Sequence, residues 1–142
     1  MTVTAIIAEY NPFHNGHQRL ARAAREAGGE GSGVVAVLSG NWLQRGEPAL
    51  LPKGERVRAA LLSGVDLVVE LPLPYAAATA ERFAYGGVAL AEALGCVDRL
   101  AFGCEAGELL PLERCAAALL DPGVDAAIRA GLGRGLSYAA VP

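Results

Sequence analysis

A largely apolar, β-branched run from Val3 to Ala8 stops at Asn11-Pro12, a pair that ends strands and opens loops. A helical pattern begins at His17, with Leu20, Ala24 and Ala27 on one face and Arg19, Arg22 and Arg25 on another, which reads as a solvated stripe. Glycines between Ala27 and Gly33 close that helix and precede a strand; a phosphate cradle requires the opposite order, so they read as a flexible connection. Val34 to Leu38 is a second continuous apolar run, as for a strand buried on both faces of a parallel sheet. Beyond the aperiodic stretch Ser39 to Pro52, Lys53 to Ser63 predicts a helix closed by Gly64, and Asp66 to Pro72 a third strand. Ala76, Ala80, Phe83, Gly87, Leu90 and Leu94 alternate in steps of four and three, which predicts one long helix over Tyr75 to Leu94, stopped by Gly95. Asp98 to Glu105 reads as a fourth strand. Glu108 to Leu120 reads as a helix with Leu109, Leu112, Cys115, Ala116 and Leu119 inward, and Asp121-Pro122 opens a last helix to about Gly131.

Four alternations of strand and helix predict one doubly wound α/β domain over residues 1–142, with a mainly parallel sheet and right-handed crossovers. In such sheets ligands rest beyond the strands' carboxyl ends. The expected crevice therefore lies between the His14 loop and the Ser39–Pro52 loop, the latter long enough to be functional.

Composition narrows the class. A chain of 142 residues with 53% hydrophobic and 19% charged residues is not disordered. It has no apolar run of membrane-spanning length, and its start lacks a basic leader region, so a cytoplasmic protein without membrane partners is expected. Cys96, Cys104 and Cys115 have no CxxC spacing and read as buried free thiols. The net charge of −3 is not that of a free-standing nucleic-acid binder, although residues 1–60 carry net +2 against −5 for the rest.

The candidate chemistry starts at the first loop. His14 and His17 are the only histidines, three residues apart at a predicted helix start, where free N–H groups and the dipole attract phosphate. A capping pair, or two metal ligands short of a third, are the competing readings; no further His or paired Cys offers that third ligand. In the second loop Asn41, Gln44 and Arg45 offer donors, and Trp42 is a base-stacking candidate or, more commonly, a core residue. Lys53, Arg56 and Arg58 crowd a helix N-terminus against its dipole, which an anionic ligand would reconcile and an ordinary exposed basic turn would also explain. Glu9, Glu70 and Glu105 end strands as candidates for magnesium or a ribose hydroxyl, or simply as loop carboxylates. Gly103 permits close approach of a ligand.

His14-Asn15-Gly16-His17 resembles the HxGH signature of the nucleotidyltransferase superfamily. The longer string from Ala8 to His17 is similar to the tRNA(Met) cytidine acetate ligase family. Ser39 to Ala49, Gly64 to Pro72, Ala80 to Ala84, Asp98 to Glu105 and Gly133 to Tyr138 resemble the same family, with Arg82 and Cys104 as departures. The resemblance implies a Rossmann-like, HxGH nucleotidyltransferase-like fold that binds ATP, with Mg2+ as a candidate companion. It further implies activation of acetate as acetyl-adenylate and acetylation of the wobble cytidine of elongator tRNA(Met). His14, His17 and Lys53 would be catalytic, and Asn11, His14, Gly16, His17, Asn41, Gln44, Arg45, Arg56, Gly103 and Glu105 would contact the nucleotide. Adenylylation of a small phosphorylated acceptor, or nucleotide binding without catalysis, are the alternatives. Full-length members of the family are longer than this chain.

Overall fold

β1 (Val3–Ala8) and β2 (Gly33–Ser39) form the centre of a parallel sheet because their residues can be buried on both faces. A computed structural model describes residues 1–104 and 107–137, which divide into one unit over Met1–Gly103 and a second beginning at Cys104. In the first unit β3 (Leu67–Leu71) pairs with β2, and the short β4 (Arg99–Leu100) pairs with β1, giving the order β3-β2-β1-β4. Every pairing is parallel, with Val3 opposite Gly33, Val35 opposite Leu67 and Thr4 opposite Arg99.

Helices cover both faces. α1 (Asn15–Gly28) and α2 (Lys53–Leu62) pack Ala21, Ala24 and Ala60 on Ile6, Val34, Ala36 and Leu38. On the opposite face α3 (Leu73–Ala76) and α4 (Ala80–Ala93) place Ala76 and Ala91 on Ala5, Val37 and Leu71. Neighbouring strand residues thus feed opposite layers, as the period-two alternation requires. Gly87 lets α4 lie close to the sheet, since a Cβ there would be 2.6 Å from Ile7 Cδ1. The chain runs outward from β1 through β2 to β3, then returns past β1 to β4. The reversal of strand order falls between β1 and β4, and the crevice above that point is where a doubly wound sheet binds its ligand.

Several sequence expectations need correction. The helix expected over 75–94 is two helices: Ala77 leaves the helical region at φ −105°, ψ 54°, and the Thr79 hydroxyl accepts the Arg82 N–H to start α4 afresh. The apolar spacing bridged that break because both pieces face the same layer. The fourth strand is two residues long, as the chain leaves the ladder after the Ala101 N–H donates to Ala5 O. Arg25 is no free surface residue; it donates to Ser32 O and Gly64 O and pairs with Asp66, whose carboxylate also receives the Val34 N–H. All three cysteines are exposed.

The second unit holds α5 (Leu109–Leu119) and α6 (Pro122–Gly133), the latter capped by Asp121 receiving the Gly123 N–H. Leu109, Leu112, Cys115, Ala116 and Leu119, expected inward, are exposed, because two short helices supply too little surface to cover them. No helix among the described residues is long and apolar enough to cross a membrane.

Candidate functional site

The turn after β1 is built to start a helix with imidazoles. Tyr10 takes a left-handed backbone, φ 49°, uncommon for a residue with a side chain. That geometry turns its ring into the α1–α2 layer, where it is 1% exposed and packs edge-on against Phe13 at 4.8 Å and His17 at 4.9 Å. His14 caps α1: its Nδ1 accepts the Gly16 N–H at 3.1 Å, while His17 Nδ1 accepts the His14 N–H at 3.2 Å. This is a capping box, a motif ordinarily made by a hydroxyl and a carboxylate or amide. Gly16 is required beside it, since a Cβ there would stand 2.9 Å from His14 Cε1.

The caps decide the protonation chemistry. An Nδ1 that accepts a hydrogen bond carries no proton, so hydrogen-bonding assigns both rings as neutral Nε2–H tautomers. The rings stack with centroids 3.7 Å apart and planes 23° apart. Partial burial, and secondarily the neighbouring His14, lower the pKa of His17, which favours the neutral form further. The helix start therefore offers two N–H donors on stacked, uncharged rings, while the amides of Gly16, His17 and Gln18 are bonded within the turn and contribute through the helix dipole.

Both rings line a cleft of about 760 Å³ at the reversal point of the sheet. That volume lies within the range of roughly 300–1,000 Å³ typical of small-molecule sites. Of the expected nucleotide contacts, Asn11, His14, Gly16, His17, Gln44, Arg45 and Gly103 meet here, joined by Glu9, Tyr10 and Phe102. Glu105 lies outside the described residues.

The opposite wall is ordered by hydrogen bonds from the first loop. Trp42 bridges Pro48, and Leu43 and Gly46 close a turn through the Gly46 N–H and Leu43 O, with Gly46 at φ +79°. Glu9 Oε1 receives the Gln44 N–H at 2.6 Å, and Asn11 Oδ1 receives the Leu50 N–H at 2.7 Å. Gln44 Nε2 donates to Ala78 O, and Asn41 Oδ1 accepts the Lys53 N–H, so these amides act first as ties. Arg45 is exposed on the cleft with no ion pair among the described residues. Trp42 is 48% exposed and not a core residue.

Three expected contacts lie elsewhere: Asn41, which lines a separate pocket with Trp42 and Glu70, and two basic residues at the start of α2. Lys53 does not line the cleft; its ammonium pairs with Glu70 at 2.6 Å. Arg56 is fully buried off the cleft, and its guanidinium commits four of its five N–H donors to the carbonyls of Leu51, Glu9, Ser39 and Gly40. The cationic crowding at the start of α2 is thus answered by Glu70 and by carbonyl oxygens, without an anionic ligand. Burial lowers the Arg56 pKa against the pull of Glu9 and Glu70, but an arginine starts high enough to stay charged. No cluster of three metal-ligating side chains occurs among the described residues.

Sequence reasoning missed Tyr10, whose left-handed backbone has no side-chain signature, and the loop-pinning role of Glu9. Phe102 was hidden inside a strand expected to be longer.

Comparisons with known proteins agree with the fold. A family model described as HIGH Nucleotidyl Transferase matches residues 1–141. The chain is 54% identical to the tRNA(Met) cytidine acetate ligase of Syntrophotalea carbinolica, over 99% of this chain and 33% of that protein. It is 47% identical to the enzyme of the same name from Caldanaerobacter subterraneus, over 98% and 35%. Among solved structures it superposes on Thermotoga maritima TmcAL bound with alpha-thio ATP, at a TM-score of 0.89 and 39% identity, over 97% of this chain and 34% of that one. The chain thus spans about a third of the length of the relatives it matches.

Proposed function

The chain belongs to the HIGH nucleotidyl transferase family, and from that premise we propose that its 142 residues are the ATP-binding part of a tRNA(Met) cytidine acetate ligase. ATP occupies the cleft at the start of α1. The Nε2–H groups of His14 and His17 donate to its phosphates, the α1 amides add their partial charge, and Arg45 supplies the mobile cation from the opposite wall. Asn11 and Gln44 hold that wall in place, while Gly16 and Gly103 leave room for the nucleotide to approach. Magnesium arriving on the phosphates needs only one or two carboxylates, and Glu9 is the strand-end carboxylate on the cleft.

The reaction is in-line displacement at phosphorus. An acetate oxygen attacks the α-phosphorus, the bond to the β-phosphate oxygen breaks, and pyrophosphate leaves with the developing charge. Neutral imidazole donors placed beforehand stabilise that charge without themselves losing a proton. The acetyl carbon of the adenylate is then attacked by the exocyclic amine of the wobble cytidine, and AMP departs. The setting is the cytoplasm, where tRNA is decoded.

The observation that carries the reading is the commitment of both Nδ1 atoms to the helix cap, which leaves two Nε2–H donors on one cleft. Acetate-dependent release of pyrophosphate from ATP tests it; release driven only by a phosphorylated acceptor would instead favour adenylylation of that acceptor. A second reading, ATP binding without turnover by this chain alone, is favoured by its spanning a third of its relatives' length. ATP binding without pyrophosphate release would identify it.

A further inference from the structure

The ladder between β1 and β2 ends at Ala8 opposite Leu38. Beyond that point β1 and β2 no longer pair with each other, although Ser39 still pairs with Leu71 of β3, and the carbonyls of Glu9, Ser39 and Gly40 stand at the root of both loops that frame the cleft. Arg56, from the first turn of α2, donates to all three. Nη1 donates to Glu9 O at 2.5 Å and Ser39 O at 3.2 Å, Nη2 donates to Gly40 O, and Nε reaches Leu51 O at 3.1 Å. One planar group therefore joins the end of β1, the end of β2 and the last residues of the second loop. Its side chain is 0% exposed, so water cannot replace it there.

The consequence reaches the cleft through Glu9 and Asn11. The backbone of Glu9 is held by Arg56, and its carboxylate holds the Gln44 N–H; Asn11, two residues on, holds the Leu50 N–H. The separation between the His14 turn and the opposite wall is thus fixed by a residue that bonds both loops at their roots and does not itself line the cleft. A buried guanidinium bonded only to carbonyls also offsets the negative ends of the strands, on which an anion would otherwise rest. Burying a charge costs several kcal/mol, and a neutral side chain would take the guanidinium donors from these carbonyls. The geometry points to Arg56 as a positioning residue for the nucleotide: it sets the spacing and potential of the cleft from beneath, without contacting the ligand. This rests on the cleft being the ATP site.

The test is Arg56→Lys, which keeps the charge and loses the fork, compared with the unmodified chain by ATP titration at a temperature where circular dichroism shows both folded. The expected result is an ATP Kd raised at least tenfold, because both loops that frame the cleft lose the group that joins them. Faster amide exchange over residues 43–51, with exchange at His17 unchanged, is expected alongside. A Kd within twofold of the unmodified chain, even with a lower Tm, would overturn the role and leave Arg56 as scaffolding. If Arg56→Lys does not fold, exchange on the unmodified chain decides. ATP should then protect the amides of Glu55 to Val57, which lie outside the cleft, and unchanged exchange there overturns the proposal. Failure of the unmodified chain to bind ATP would instead remove the nucleotide reading on which the proposal stands.

Discussion

The imidazoles of His14 and His17 stack 3.7 Å apart, and His17 Nδ1 accepts the backbone N–H of His14 itself. The same atoms that cap α1 therefore set which nitrogens face a ligand. Protonating either Nδ1 removes a cap and places charge against the neighbouring ring.

This arrangement predicts a pH dependence. The folded-state pKa of His17 lies below the ordinary value of about 6.5, so the unfolded chain takes up its proton first as pH falls. The contribution is fully present above about 6.5 and is lost as pH falls from there toward the folded pKa. Thermal unfolding followed from pH 7.5 to pH 5 should show Tm falling in that window. His17→Gln should flatten the fall.

Capping and ligand binding can be separated at His14. Asparagine accepts at an N-cap, so His14→Asn should leave Tm nearly unchanged, whereas His14→Ala should cost about 1 kcal/mol. Both remove an Nε2–H donor, and both should weaken ATP binding to a similar extent in a calorimetric titration.

Gly16→Ala tests the room beside the cap. Its Cβ would sit 2.9 Å from His14 Cε1 and push the ring from its position, while alanine within the helix gains up to about 1 kcal/mol over glycine. Tm should hold or rise, and ATP affinity should fall at least tenfold.

Tyr10 carries a buried hydroxyl with no hydrogen-bond partner, and burial pushes its pKa up to about 12. Tyr10→Phe should therefore leave stability unchanged or raised. Tyr10→Ala should cost about 3 kcal/mol or more and release His17 from the ring it packs on, which denaturant melts and ATP titration would show together.

Much of the first unit was legible because its signals are local. The strands from Val3 and Val34 announce burial by composition, and the histidine turn by the pairing of its two ring donors with a glycine that only a crowded cap requires. Arg56 and Lys53 were misplaced because a basic residue at a helix start looks the same whether it faces phosphate, Glu70 or backbone carbonyls. Only tertiary structure supplies those partners. The break before α4 was hidden because periodicity reports which face is apolar and is blind to a helix that stops and restarts on the same layer. The inward face expected of α5 is exposed throughout, because apolar spacing does not say what covers it.

The most direct test of the account is an ATP titration of isotope-labelled chain followed through its imidazole nitrogens, which are assignable because only two histidines exist. The predicted result is that the Nε2–H signals of His14 and His17 move together and saturate with ATP, while both Nδ1 resonances keep the position of an unprotonated acceptor. Unmoved signals from both rings at saturating ATP, or conversion of either to imidazolium, would contradict it.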